Sequence, residues 1–261
     1  APALRSGELS LVVHDVGQGQ LIDIRTASGR WLYDSGPRTR SGFMAITTLW
    51  DQAQHFDGVI VSHGDTDHAG GVPVLKALHK VDRWWAPLRD TIDVEGLTTC
   101  RAGASWRVDD VNFTFLWPRS KATMPAAEND RSCVLLIETP RHRFLITGDA
   151  GQDVESRIVA HYQEPVDVLV AGHHGSHGSS SQRMVDMLEP ARVIYSAGYL
   201  NAYGHPADSV VRRFHHAGSC QWNTALDGAI AVTSRASGIR VVSRHPVSGV
   251  EQCRPGVESG R

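Results

Sequence analysis

The chain lacks a membrane-spanning stretch: no apolar run approaches the roughly 18 residues a bilayer requires, and its first residues do not read as a signal peptide. Its four cysteines, Cys100, Cys133, Cys220 and Cys253, form no CxxC pair, which argues against a thiolate zinc site. One or two disulfides are open to it, with the pairing undetermined. Cys133 lies in an apolar run and reads as a small buried hydrophobe. Basic residues are not in excess either. The net charge is -2, so the global positive field of most DNA-binding domains is missing, and positive charge at a site would have to come from metal ions. No Gly-Lys-Ser/Thr accompanies the early Gly17-Gln18-Gly19 turn. It is therefore not a P-loop, and no nucleotide cofactor is expected.

With 261 residues, 41% of them hydrophobic, the chain suits one large domain, residues 1–261, with a core over about 8–245. The last stretch, 246–261, is rich in Gly, Ser, Pro and charge and is expected to be poorly ordered. The opening Ala1-Pro2-Ala3-Leu4 reads as a linker or an artificial boundary.

Short apolar strands alternate with amphipathic helices. Strands are expected at Leu9–Val13, Leu21–Ile24, Trp31–Tyr33, Val59–Val61, Val111–Trp117, Cys133–Ile137, Phe144–Ile146, Val166–Val170 and Val193–Tyr195, with a last hairpin at Ala229–Val232 and Ile239–Val242. Helices are expected over Phe43–Gln54, around Val72–Leu78, Val154–Tyr162, Gln182–Leu188 and Asp208–Phe214. This order predicts a layered α/β fold with mixed sheets.

Fourteen histidines and 25 glycines stand out, and several of the histidines sit beside Gly and Asp. The densest cluster, Ser62-His63-Gly64-Asp65-Thr66-Asp67-His68-Ala69-Gly70-Gly71, follows a buried strand and packs four potential ligands into six residues. Imidazole and carboxylate donors suit zinc, manganese or iron. A solvated loop with Asp67 capping a helix is the bland alternative. Thr147-Gly148-Asp149-Ala150 and Ala171-Gly172-His173-His174-Gly175-Ser176 also follow strands. In Asn201-Ala202-Tyr203-Gly204-His205-Pro206, Pro206 is expected to begin a helix, placing His205 at a helix N-terminus where anions are favoured.

The first cluster resembles the HxHxDH signature of the metallo-β-lactamase superfamily, with Asp65 in the place of the second His. That resemblance implies an αββα sandwich, two mixed β-sheets flanked by helices. It implies two divalent ions, His63 and Asp65 on the first, Asp67 and His68 on the second, Asp149 bridging and His173 completing the second. His174 would be second-shell or face the substrate. A His expected between the first cluster and Gly-Asp is absent, and Asn129 or Asp130 fills its slot. Oxygen donors then favour manganese over zinc, with magnesium a further option.

Asp15-Val16-Gly17-Gln18-Gly19-Gln20, Tyr33-Asp34-Ser35-Gly36, the HxDxDHxGG cluster, Asn-Asp-x-Ser, Gly-Asp, His-His-Gly-Ser and Asn-x-Tyr-Gly-His-Pro occur in one order from Leu9 to Ser234. Together they resemble the C-terminal domain of the ComEC family of DNA-uptake channel proteins. The resemblance implies a nuclease that degrades the non-imported strand during natural transformation. The chain would be a soluble domain of an inner-membrane protein, on its periplasmic or extracellular side. Its partners would be DNA, single-stranded or being unwound, and the membrane channel domain of the same parent. Asp67, His174 and His205 are expected to act in the reaction. Asp34, Asn129, Asp130, Ser176 and Tyr203 are expected to support the ligands or the substrate. Arg38 and Arg40, with Arg212 and Arg213, are candidates to hold a phosphate backbone. Another esterase on the same scaffold, such as a phosphorylcholine esterase or lactonase, stays open, as does a non-catalytic DNA-binding or gating module.

Overall fold

The computed structural model describes residues 3–88, 92–119 and 125–245. The expected loose tail at 246–261 lies outside the described residues. The first half carries β1 (Leu9–Val13), β2 (Ile22–Arg25), β3 (Arg30–Tyr33), β4 (His55–Phe56), β5 (Gly58–Ile60), β6 (Lys80–Val81), β7 (Trp84–Ala86), β8 (Thr98–Thr99), β9 (Ser105–Val108) and β10 (Val111–Trp117). The second half carries β11 (Val134–Glu138), β12 (Arg143–Ile146), β13 (Val168–Val170), β14 (Arg192–Tyr195), β15 (Cys220–Asn223), β16 (Ile230–Arg235) and β17 (Gly238–Ser243). The helices are α1 (Thr66–Ala69), α2 (Val72–Leu78), α3 (Gln152–Val159), α4 (Gln182–Leu188), α5 (Asp208–Ala217) and α6 (Thr224–Asp227).

Two mixed sheets result. One runs β17-β16-β1-β2-β3-β5-β7-β8 and the other β15-β14-β13-β12-β11-β10-β9, with β4-β6 as a separate pair. Side chains alternate across each strand, and that alternation assigns the layers. In β3, Trp31 and Tyr33 enter the core between the sheets, while Leu32 joins the cluster that α2 covers with Val72 and Leu75. In β12, Phe144 and Ile146 face the shared core, while Leu145 meets Val154 and Ile158 of α3 and Val185 and Leu188 of α4. β13 and β14 divide in the same way, Val170 and Ile194 inward, Leu169 and Val193 toward the helices. The order is helix, sheet, sheet, helix. Each fully buried side chain of this kind contributes about 1.5–3 kcal/mol.

The expected helix over Phe43–Gln54 is reduced to one 3-10 turn, Ala45–Thr48. The Thr47 and Thr48 hydroxyls donate to the carbonyls of Met44 and Ala45, an alternative to continuing a helix. Beyond it, the Gln54 carbonyl accepts from Lys80 N, which commits the segment to the β4–β6 pair. Pro206 does not begin α5. The helix opens at Asp208 with Ala207 as its N-cap, and Ala207 N donates to the Gly175 carbonyl. His205 therefore stands in a loop.

Parallel pairing runs through β3-β5-β7 in one sheet and β12-β13-β14-β15 in the other. The clusters around His63, Asp149, His173 and His205 all follow the C-terminal ends of these strands, where layered α/β proteins place ligands.

Cys133 is buried, but not as an isolated thiol: it forms a disulfide with Cys100, 33 positions away. Its N–H donates to the Ser62 carbonyl at 2.9 Å, and Tyr33 Oη donates to its carbonyl at 2.6 Å. The crosslink is thus pinned directly behind the His63 loop. Closing a loop of this span corresponds to roughly 3–4 kcal/mol of unfolded-state entropy. Replacing Cys100 and Cys133 together by Ala is expected to lower unfolding stability by about 2–4 kcal/mol in urea titration. An unchanged midpoint would mean that the crosslink contributes nothing.

Candidate metal centre

The centre is built outward from Asp34, fully buried at the end of β3. Its carboxylate accepts from Ser62 N at 2.6 Å, Ser62 Oγ at 2.9 Å, Gln20 Nε2 at 2.9 Å and His68 Nδ1 at 2.7 Å. A carboxylate only accepts, so His68 donates from Nδ1 and turns Nε2 toward the opposite loop. The Ser62 hydroxyl spends its proton on Asp34, which leaves its lone pair to accept from His63 Nδ1 at 2.9 Å. His63 Nε2 is thereby left bare. It is buried and has no hydrogen-bond partner.

The Gly-Asp turn faces these two rings. Gly148 has φ +56°, and a Cβ there would lie 2.9 Å from side-chain atoms of both Ser132 and Ser62, so only glycine fits. Asp149 N donates to Ser132 Oγ at 3.0 Å, which aims the carboxylate at the rings. Asp149 Oδ1 lies 3.0 Å from His68 Nε2 and 3.8 Å from His174 Nε2, yet it is buried without a partner in hydrogen-bond geometry. Asp149 Oδ2 lies 3.9 Å from His63 Nε2 and 3.6 Å from His173 Nε2.

The third loop turns back through two consecutive left-handed residues, His173 (φ 50°) and His174 (φ 56°). Such residues are individually costly and persist where the surroundings enforce them. His174 Nδ1 donates to the Ser196 carbonyl at 2.6 Å, freeing Nε2. That nitrogen lies 3.2 Å from His68 Nε2 and 3.2 Å from Asp67 Oδ2.

Two compact donor groups result among the described residues: His63, His68 and Asp149, and Asp67, His68 and His174, each with its ligand atoms within 4.8 Å of one another. Asp65 Oδ2 approaches His63 Nε2 to 3.4 Å from a half-exposed position. Bare imidazole nitrogens and an unsatisfied carboxylate oxygen, buried and converging, are a donor set that fits divalent cations. Both tandem histidines approach Asp149. His174 stands in the second group, and His173, 35% exposed at its side chain, stands beside Asp149.

The electrostatics agree with this geometry. Burial works against the charge on Asp149, but the pull of His68, His174 and His63 holds its carboxyl well below the usual range. Burial likewise opposes a proton on His68, and Asp149 and Asp34 overcome it, raising the imidazole well above 6.5. Asp65 is lowered chiefly by the nearby His63 ring, whereas His173 is lowered chiefly by burial. His205 is pushed down to about 4, by burial first and then by His173 and His174.

Other expected residues take different places. Asn129 and Asp130 occupy a 3-10 turn, where Asp130 Oδ1 accepts from Gly151 N at 3.0 Å, and neither joins the two donor groups. Ser176 shapes its own loop, accepting from Gly178 N. Arg213 donates to the Ser180 carbonyl, which ties it to the fold and not to a ligand. Tyr203 is exposed and stacks on His205, with centroids 5.6 Å apart. The Gly17-Gln18-Gly19 turn braces the centre: a Cβ at Gly19 would lie 2.4 Å from the Asp67 carbonyl, and Gln20 N donates to that carbonyl at 3.1 Å. Sequence reasoning passed over Ser62, Ser132, Gln20 and Ser196. Three of these were visible as members of the quoted motifs, and the fourth, Ser196, carried no signal because the group that holds His174 is its carbonyl, which any residue offers.

The profile of the Metallo-beta-lactamase superfamily matches residues 16–198, and the chain belongs to that superfamily. Within it, its relatives include competence proteins of the ComEC type. Recombination protein 2 of Haemophilus influenzae is 36% identical over 224 residues, covering 84% of this chain and 28% of that protein. Competence protein ComA of Neisseria gonorrhoeae is 31% identical over 241 residues, covering 91% of this chain and 34% of that protein. The chain thus spans about a third of the length of these curated relatives. Among solved structures, the metallo-beta-lactamase fold protein YhfI from Bacillus subtilis superposes with a TM-score of 0.55 at 15% identity, covering 83% of this chain and 95% of that one. That likeness concerns the fold.

The pKa shifts set a pH window for the metal-stripped protein. The raised His68 contributes stability that is complete below about pH 6.5 and is lost as pH rises through its folded value. The lowered Asp149 contributes stability present above about pH 3.8 and lost as pH falls through its folded value. Metal uptake has to expel the His68 proton, so it is expected to weaken as pH falls and to release about one proton at neutral pH. Calorimetry in two buffers of different ionisation heat measures this; identical heats would remove His68 from the ligand set. In metal analysis, His174→Ala is expected to lose more bound ion than His173→Ala, the reverse order favouring His173 as the ligand. Asp34→Asn is expected to weaken metal binding roughly 10–100-fold.

Proposed function

We propose that this domain is a two-metal phosphodiesterase that cuts DNA, degrading the strand that is not imported during natural transformation. One observation carries the reading: two donor groups that share His68, with Asp67 alone part-exposed, and converge on a carboxylate with an unsatisfied oxygen. His63, Asp65 and Asp149 would hold one ion, and Asp67, His68 and His174 the other, with Asp149 serving both and His173 beside it. Two divalent ions so held supply Lewis acidity toward a phosphoryl oxygen and a water acidic enough to attack near neutral pH.

The chain's own residues supply the rest. Asp34 and Ser62 fix the two imidazole tautomers before substrate arrives, so no ring needs to reorient. Asp67, part-exposed beside His174, faces the open side of the group. His205 lies with ring centroids 5.6 Å from His173 and 6.3 Å from His174, at the edge of the centre. Lowered to about 4, it is a neutral imidazole at physiological pH. It acts by donating a hydrogen bond to the leaving oxygen and not by carrying a spare proton. A cavity of about 580 Å³ opens beside the metal loop, lined by Arg38, Gly64, Thr66, Ala69 and Lys76, and gives a strand room to lie.

DNA as the substrate rests on the competence and recombination proteins to which the chain is related, and manganese on the carboxylate that stands at Asp65 in place of an imidazole. The proposed partner is the membrane channel portion of the same parent protein. Among the described residues no helix is long and apolar enough to cross a membrane. The Cys100–Cys133 disulfide favours an oxidising compartment, hence the periplasmic or extracellular side.

Nuclease assays across divalent ions test the reading. Turnover is expected to be higher with manganese than with zinc at matched occupancy, and Asp149→Ala is expected to abolish it in a domain that still folds. Undiminished cleavage by that variant would sink the two-metal scheme. His205→Ala is expected to cost about 10²-fold or more in turnover with metal content unchanged. A parallel loss of metal would make His205 a ligand instead.

A further inference from the structure

The loop after β14 exposes large apolar side chains next to the metal centre. Tyr199 is 70% exposed, Leu200 86% and Tyr203 72%. Three such residues within five positions are a concentration that folding alone does not require. The loop is also held rigidly. Asn201 Oδ1 accepts from His205 N at 2.9 Å and Tyr203 N at 3.2 Å, while Asn201 Nδ2 donates to the carbonyls of Gly198 and His205. Its base is clamped to the early glycine turn, Gly198 N donating to Gln18 Oε1 at 3.0 Å and Ser196 Oγ to the Gly19 carbonyl at 2.8 Å. The same turn supports Asp67, so one element positions both the loop and the metal ligands.

The rings form a graded stack. Tyr203 lies over His205 with centroids 5.6 Å apart and an interplanar angle of 23°. His205 lies over His174 at 6.3 Å and again 23°. The stack thus runs from solvent to a ring whose Nε2 is 3.2 Å from Asp67. From Tyr195 to Pro206 the loop holds no Asp, Glu, Lys or Arg. A neutral, preorganised aromatic surface does not recognise phosphate, but it does match the face of an unpaired base.

We infer that Tyr203, with Tyr199 and Leu200, is a stacking lip that holds a base of single-stranded nucleic acid beside the centre. This rests on the DNA-cutting reading above and narrows it to strands whose bases are free to stack. Bases inside a duplex present edges, not faces, so the lip selects unpaired substrate. A bilayer surface is the competing occupant of exposed tyrosines. Interfacial anchors ordinarily draw on flanking Lys or Arg as well, and this loop has none.

The test compares the wild-type domain with Tyr203→Ala, Tyr199→Ala and Tyr203→Phe. Binding is read from 2-aminopurine fluorescence of a short single-stranded oligonucleotide with chelator present, so that no cleavage intervenes. Turnover is read with manganese on the same oligonucleotide, on its duplex, and on bis(p-nitrophenyl) phosphate, which has no base. The Ala variants are expected to bind the single strand about 10-fold or more weakly, to lose much less on the duplex, and to lose more turnover on the single strand than on the small diester, with Tyr203→Phe close to wild type. Equal binding by the Ala variants, or equal losses on single strand and duplex, would overturn the lip while leaving the nuclease reading intact. A wild-type domain that hydrolyses the small diester but neither binds nor cuts DNA would overturn both. Co-sedimentation with phosphatidylglycerol vesicles that Tyr203→Ala abolishes, alongside unaltered oligonucleotide binding, would give the lip to the membrane.

Discussion

The structure depends on one unfavourable arrangement: a charged carboxylate, Asp149, buried among imidazole rings with an oxygen that no hydrogen bond satisfies. Burying such a group without compensation costs several kcal/mol. The fold meets that cost by surrounding Asp149 with imidazoles, and the pull of His68, His174 and His63 holds the carboxyl well below the usual range despite its burial. A proton on His68 is one answer to that negative field, and a divalent cation is a better one. Most other features of the centre can be traced to keeping these groups from collapsing onto each other. Asp34 holds His68 from behind, Ser62 and Ser132 hold His63 and the Asp149 backbone, and Ser196 holds His174.

The supports come from several separate segments, and this is why the fold matters to the site. Asp34 follows β3, Ser62 follows β5, Ser132 precedes β11, Asp149 follows β12, His174 follows β13 and Ser196 follows β14. Parallel strands present their C-terminal ends on one edge of the sheets, so loops far apart in sequence meet there without long connections. The disulfide between Cys100 and Cys133 and the Tyr33 hydroxyl on the Cys133 carbonyl fasten the sandwich just beneath this edge. Rigidity under the centre leaves the loops above it free to differ in chemistry.

Much of this was legible in the sequence because strand alternation is a strong signal. Val111–Trp117 alternates cleanly and is β10, and Gln182–Leu188 is α4 to the residue. The ligand loops were legible for the same reason, each being a polar, glycine-flanked break after a buried run. What escaped was decided by contacts across the fold. Phe43–Gln54 has helical spacing, yet its threonines bond back to the main chain and its end is drawn into a strand pair. Two adjacent histidines look equivalent in sequence; which one turns inward depends on a left-handed pair of backbone angles and on a carbonyl at Ser196. Cys133 looked like a core residue, and it is one, but its partner could not be chosen without knowing that Cys100 arrives at the same depth.

A net charge of -2 seemed to argue against a polyanionic substrate. On the reading proposed here, the protein does not attract such a substrate by a general field. Cations held by Asp149 and its neighbours would supply positive charge only where the phosphodiester reacts, and neutral rings at Tyr199 and Tyr203 would hold the bases. That division has a physical advantage. A broadly basic surface binds duplex and single strand alike, through phosphates that both possess. Stacking requires an exposed base face, which only an unpaired strand offers. A domain that must cut one strand while another is being drawn away gains selectivity from such an arrangement, and it loses little by having no basic patch. The glycine turn at Gly17–Gly19, packed against both Asp67 and Gly198, keeps the two parts in register. A shift in that turn would move the reacting group and the stacked base together, so the distance between them is set by the backbone and not by flexible side chains.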